Sequence, residues 1–152
     1  FSITENLILD THSEAPYSKG IFYKPAMAHQ VAIERIKEFD IRAQSASDPA
    51  SSLSGGNKQK VVLARELSRP VELVVVCQPT RGLDVGSIEF VHERMIAERD
   101  SGRGVLLFST ELDEVIALAD RIAVMYRGEF IAVVPADTSR EELGLLMAGV
   151  KK

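Results

Sequence analysis

Tryptophan is absent from the 152 residues and cysteine occurs once, at Cys77. A single thiol forms no internal disulfide, which excludes a disulfide-stapled secreted scaffold and fits a reducing, cytosolic compartment. Positive charge is also scarce: 18 Lys and Arg face 22 Asp and Glu, a formal net charge of −4. Nucleic-acid binding driven by bulk charge is therefore not expected. The longest strand-like apolar run, Leu73–Cys77, is far short of the ~20 residues that span a bilayer. The opening Phe-Ser-Ile-Thr-Glu-Asn lacks the basic and apolar segments of a signal peptide. His12, His29 and His92 lie too far apart for ligand spacing, so no metal site is expected. What remains is an ordinary globular composition, with 45% hydrophobic and 26% charged residues, which excludes a largely disordered chain.

The chain starts without an initiator Met, and Ile3, Leu7, Ile8 and Leu9 bring apolar character at once. A natural terminus is usually less committed, so an excised piece of a longer protein is expected. Ala28, Ala32, Ile36 and Phe39 recur at helical spacing and predict a helix over 25–39. It starts on Pro25, where a missing N–H costs nothing. Residues 44–56 turn to Ser, Ala, Asp-Pro and Gly-Gly and read as a loop.

Helix and strand then alternate. Val61, Ala64 and Leu67 mark a helix over 57–68, and Leu73–Cys77, bounded by Pro70 and Pro79, reads as a buried strand. Within it Cys77 reads as a small buried hydrophobe. Ile88, Val91 and Met95 mark the next helix, with the Glu93–Arg99 charges as its solvated face. A second buried strand covers 105–108, and Thr110-Glu-Leu-Asp113 resembles a capping box opening a helix. Arg121–Tyr126 is a third strand, turned at Arg127-Gly128 into a hairpin with 129–134. Ser139-Arg-Glu-Glu142 caps a last helix carrying Leu143, Leu146 and Met147. Strand–helix–strand–helix–strand predicts an α/β fold with right-handed crossovers and a parallel sheet.

The most informative stretch is Leu53-Ser54-Gly55-Gly56-Asn57-Lys58-Gln59-Lys60, which runs straight into a helix. Two glycines let backbone approach a ligand, the helix aims free N–H groups at the same point, and Ser54 adds a hydroxyl donor. The arrangement suits a phosphate oxygen, although a Ser-Gly-Gly alone is more often a plain loop and N-cap. Downstream comes the apolar strand and then Gln78-Pro79-Thr80-Arg81-Gly82-Leu83-Asp84. Leu-Ser-Gly-Gly, a helix, an apolar strand and Pro-Thr-x-Gly-Leu-Asp, at this spacing, resemble the ATP-binding-cassette (ABC) ATPases. The wording looks most like the C-terminal cassette of tandem-cassette importers for simple sugars or nucleosides.

The resemblance implies a P-loop NTPase-like α/β fold cut at its N-terminal half. Residues 1–56 would be the tail of the helical subdomain, and 57–152 the C-terminal part of the RecA-like core with a hairpin and helix. Leu53, Ser54, Gly55, Gly56, Asn57 and Gln59 would form the signature motif, which touches ATP bound to a partner cassette. Gly82, Leu83 and Asp84 would form the D-loop facing that partner, and Asp84 also reads as an N-cap for the following helix. Leu73–Gln78 would be the Walker B strand and Ser109-Thr110-Glu111 the switch position.

Several family features depart. No G-x-x-x-x-G-K-[ST] occurs, so the phosphate-cradling loop is missing, and so is the glutamine loop. Cys77 stands where the family has a Mg²⁺-linked Asp, and a thiol is a poor partner for a cation that wants oxygen. Gln78 replaces the catalytic Glu, and loss of a general base typically costs about 10²–10⁴ in rate. Thr110 replaces the switch His. The resemblance thus implies an asymmetric pair: this cassette's own site is degenerate at Cys77, Gln78 and Thr110, while its signature completes the partner's site.

The implied cofactors are ATP and Mg²⁺ in the full-length protein, with none expected for the isolated piece. The implied partners are an N-terminal cassette of the same polypeptide, transmembrane permease subunits and, indirectly, a solute-binding protein. The implied location is peripheral, on the cytoplasmic side of the membrane. A missing interior strand would leave two unpaired edges, predicting that these close on each other or pair with a second copy. The alternative function is a non-catalytic pseudo-ATPase serving as a scaffold. Chromosome-maintenance ATPases share Leu-Ser-Gly-Gly, but no sustained heptads appear here.

Overall fold

The computed structural model describes residues 1–150. They form two compact units, one of residues 1–74 and 79–105, the other of 75–78 and 106–150.

The first unit is built on four helices. Helix α1 (Ile3–Leu7) starts at a reciprocal cap in which Ser2 and Glu5 satisfy each other's backbone N–H. Ile3 and Leu7 are fully buried. The segment after residue 41 folds back on α1, with Ile3 N–H bonded to the Asp48 carbonyl and Thr4 N–H to the Ala46 carbonyl, both at 2.9 Å. A two-residue hairpin joins β1 (Ser18–Lys19) to β2 (Phe22–Tyr23). Helix α2 (Pro25–Glu38) begins on Pro25 as expected and buries Ala28 and Ala32. A 3₁₀ turn over Ala50–Ser52 leads into α3 (Gly55–Leu67), which buries Val61, Leu63, Ala64 and Leu67. This helix starts two residues before the predicted boundary, because Ser54 rather than a later residue takes the N-cap.

Strand β3 (Leu73–Cys77) and strand β4 (Gly104–Phe108) flank α4 (Val85–Asp100) in sequence, and the two strands pair with each other. At one end Glu72 O accepts from Gly104 N–H, and at the other Gln78 N–H donates to Phe108 O, both at 2.8 Å. Both bonds run in chain order, so the pair is parallel. The expected double burial is not found. Val76 is buried, but Leu73, Val75, Leu106 and Phe108 are exposed, giving an in–out alternation on both strands. A continuous apolar run signals two covered faces; here only one face is covered. Cys77 lies on the open face, exposed rather than buried among the valines.

The second unit centres on the antiparallel hairpin of β5 (Arg121–Tyr126) and β6 (Glu129–Pro135). Arg127 and Gly128 both have positive φ, 48° and 84°, as a two-residue hairpin turn requires. The register shifts between Val124 and Met125. Ile122 and Val124 pack with Leu143 and Leu146 of α6 (Arg140–Met147), and Val115 and Ile116 of α5 (Leu112–Leu118) lie against them. The predicted capping box at Thr110 is not formed. Glu111, one residue later, is the N-cap of α5 and makes no side-chain capping bond, and the Thr110 hydroxyl donates to Gln78 Oε1.

The α/β fold is as expected and the parallel pairing is present in β3–β4, with the strands of the described residues arranged as three two-stranded sheets. Strand β4 pairs with β3 and β5 with β6, so the strands over 105–109 and 121–126, which would flank the missing interior strand, do not close on each other.

Candidate functional site

Ser54, with extended backbone (φ −62°, ψ 163°), caps α3. Its Oγ accepts from Asn57 N–H at 3.4 Å and from Asn57 Nδ2 at 2.9 Å, which leaves the hydroxyl hydrogen free to donate. Asn57 is itself fixed from the other side, where its Oδ1 accepts the Arg42 N–H at 2.8 Å. The first intrahelical bond here is Lys58 N–H to Ser54 O, at 2.9 Å, so the Gly55 and Gly56 N–H groups are among the unspent donors of the first turn. Leu53 is buried beneath the turn, and Gln59 is half-buried on α3.

The two glycines have different jobs. A Cβ on Gly55 would meet nothing within 4 Å, so this face is open to a ligand. A Cβ on Gly56 would overlap the Ser87 hydroxyl and stand 3.0 Å from Ser87 Cβ and 3.3 Å from Asp84 Oδ2. Gly56 therefore serves the packing of α3 against the start of α4.

The Gly82-Leu83-Asp84 segment begins in a turn closed by Leu83 N–H on Thr80 O at 3.1 Å, with Gly82 at φ 74°. Asp84 is the N-cap of α4, as its plain structural reading expects: Oδ1 accepts from Ser87 N–H at 3.0 Å and Oδ2 from Ser87 Oγ at 2.8 Å. These bonds, the hydroxyl first and the backbone second, hold the Asp84 carboxyl below the usual carboxylate range. Ser87 thus touches both the Asp84 cap and Gly56.

Further along α3, Lys60 Nζ donates to Asp40 O at 2.9 Å and to Asp40 Oδ2 at 2.8 Å, and lies over the Phe90 ring. The Lys60 ammonium depresses the Asp40 carboxyl. Arg94 of α4 covers the Phe39 ring at 4.0 Å and donates to Glu38 O at 2.9 Å, so the Glu93–Arg99 face is not merely solvated.

In the second unit, Gln78 ends β3 with a positive φ of 50°, a left-handed setting uncommon for a residue with a side chain. Its Oε1 accepts from Thr110 Oγ1 at 3.3 Å. The structure thus brings two predicted positions together, Gln78 and Thr110, beside an exposed Cys77. This donor set is an amide, a hydroxyl and a thiol, with no carboxylate, and does not fit Mg²⁺.

Ser87, Arg42 and Asp40 are not singled out by the sequence, and Lys60 falls in the glycine-pair stretch without a role of its own. The Asp84-x-x-Ser87 spacing was a readable capping signal; the other three act through tertiary contacts that no local pattern announces.

No protein-family model matches the chain. Over 151 residues (98% of the chain) it is 48% identical to the guanosine import ATP-binding protein NupO of Bacillus subtilis. It is 46% identical over 149 residues to the nucleoside import ATP-binding protein NupA of Lactococcus lactis, and 33% over 148 residues to the ribose import ATP-binding protein RbsA of Bacillus cereus. The chain spans 29% of the length of the first two and 30% of the third. Among solved structures, an ATP-binding subunit of an ABC transporter matches with a TM-score of 0.73 at 21% identity, over 97% of this chain and 62% of that one. A nucleotide-free ATP-binding cassette matches with a TM-score of 0.72 at 23% identity, over 97% of this chain and 59% of that one.

Proposed function

The chain belongs to the ATP-binding-cassette ATPase family, and from that premise we propose that it is part of the ATP-binding subunit of an importer for nucleosides or simple sugars. The guanosine, nucleoside and ribose import named for its relatives supports that solute class. In this reading residues 1–56 are the tail of a helical subdomain and 57–152 the C-terminal part of an ATPase core. Leu53–Asn57 and Gln59 complete an ATP site owned by a partner cassette, the N-terminal one of the same polypeptide. Gly82, Leu83 and Asp84 face that partner. The remaining partners are membrane permease subunits and a solute-binding protein, and the subunit works on the cytoplasmic face of the membrane.

One observation carries the reading: the α3 entrance combines an open Gly55, uncommitted first-turn N–H groups and a Ser54 hydroxyl with its hydrogen to spare. These are the groups that would meet a terminal phosphate, and a helix N-terminus favours that charge. ATP is the cofactor of the whole protein, with Mg²⁺ held at the partner's site. At the chain's own site, Cys77 offers a soft thiol in place of a hard oxygen ligand. Gln78, which spends its carbonyl on Thr110, takes no proton from water. That site therefore holds nucleotide without efficient turnover.

The test is Ser54→Arg in the full-length protein, which fills the open face with a long side chain. Loss of ATP turnover with retained folding supports the reading. Unchanged turnover overturns it and leaves the non-catalytic scaffold in its place.

A further inference from the structure

Single exposed apolar side chains are ordinary on a protein surface, but the β1–β2 hairpin gathers several. Ile21 is 94% exposed, Phe22 73% and Tyr23 47%, and the α2 side chain of Met27 is also exposed. Residues 19–27 form one uninterrupted exposed stretch. Its base is firm: Tyr17 is buried against Ile8 and Ala28, Lys24 N–H bonds Tyr17 O at 2.8 Å, and Ser18 Oγ bonds His12 O at 2.7 Å. Gly20, at φ 61°, makes the tight turn that lifts Ile21 to the tip.

The charge around this tip is as distinctive. Lys19 and Lys24 flank it, and no Asp or Glu occurs from residue 15 through 33, in a chain whose 22 acids outnumber its basic residues. The first turn of α2 carries no acid, although a helix N-terminus favours one. An apolar tip with two aromatics between lysines has the composition found at the membrane–water interface. The flanking lysines and the absence of acids give this apolar tip a rim of one sign, complementary to anionic headgroups.

We propose that the Lys19–Lys24 hairpin docks on an anionic lipid surface, with Ile21 and Phe22 entering the headgroup layer while Lys19 and Lys24 pair with lipid phosphates. This surface is separate from the α3 entrance and does not rest on the ATP reading.

The chain has no Trp, so Phe22→Trp in the 152-residue chain introduces a lone fluorophore at an exposed site that leaves the fold undisturbed. With phosphatidylglycerol vesicles, its emission shifts to the blue and iodide quenching falls; with phosphatidylcholine vesicles neither change occurs. Adding Lys19→Gln and Lys24→Gln weakens partitioning by about 30-fold, from roughly one interfacial charge contribution per lysine. Adding Ile21→Ser also weakens it. Unchanged emission on phosphatidylglycerol overturns the proposal, as does an equal shift on both lipids. A blue shift that grows with protein concentration without lipid overturns it in favour of a second copy of the chain.

Discussion

Replacing Gly56 by Ala sets a methyl group where the Ser87 hydroxyl now sits, 3.0 Å from Ser87 Cβ and 3.3 Å from Asp84 Oδ2. Rotating Ser87 relieves the hydroxyl overlap but breaks its 2.8 Å bond to Asp84 and leaves the two Cβ atoms too close. The starts of α3 and α4 must then part by a few tenths of an ångström. Overpacking of this kind costs about 1–3 kcal/mol, while Ala gains up to about 1 kcal/mol over Gly in helix propensity. The net expectation is a loss of about 0–2 kcal/mol, a fall in Tm of up to about 8 °C for a chain of this size. Two measurements separate this from a generic defect. By NMR, the Asp84 carboxyl pKa rises toward its ordinary value, because its largest stabilising contact, the Ser87 hydroxyl, has turned away. In a Ser87→Gly background the clash is gone, so Gly56→Ala is neutral or stabilising, a coupling of about 1–3 kcal/mol between the two sites. An unmoved Asp84 pKa together with additive melting shifts would refute the packing role assigned to Gly56.

Gly149→Ala should be costlier, because Gly149 ends α6 at φ 84° and a Cβ there would lie 2.5 Å from Tyr126 Cε1. Left-handed strain of about 1–2 kcal/mol adds to about 1–3 kcal/mol of overpacking, to be read as faster amide exchange across α6 and β5. Lys60→Met removes the ammonium that holds Asp40 low, so the Asp40 pKa rises toward normal in a carbon-13 titration. Because the folded pKa of Asp40 is depressed, its contribution to stability is complete above the ordinary carboxylate pKa and fades as pH falls through the lowered value. The Met variant should therefore lose part of the wild-type acid dependence in that window, and an unchanged pH–stability curve would count against the pair. Asn57→Ala frees the Arg42 amide, bonded to it at 2.8 Å, and should speed that amide's hydrogen exchange while distant amides keep their rates.

Local chemistry made much of the fold readable. The β-branched run between two prolines fixed β3 to the residue, Arg127-Gly128 marked the β5–β6 turn, and Ser139 announced α6. Burial was less legible, since an apolar run shows that a face could be covered and cannot say what covers it; hence Cys77 and Phe108 lie exposed. Thr110 is not the cap because α5 starts one residue later, at Glu111, and its contact with Gln78, 32 residues away in sequence, follows no local pattern. The same limit hid Ser87. Its bond to Asp84 follows a spacing visible in the sequence, whereas its contact with Gly56 depends on how α3 meets α4.

The ties from α3 back to the end of α2 have a mechanical outcome. Lys60 grips the Asp40 carbonyl and Asn57 grips the Arg42 amide, so the long connection over 43–53 is bypassed at two points. The Ser54–Gly55 turn is thereby held at a set place beside the end of α2, whatever path the chain over 43–53 takes.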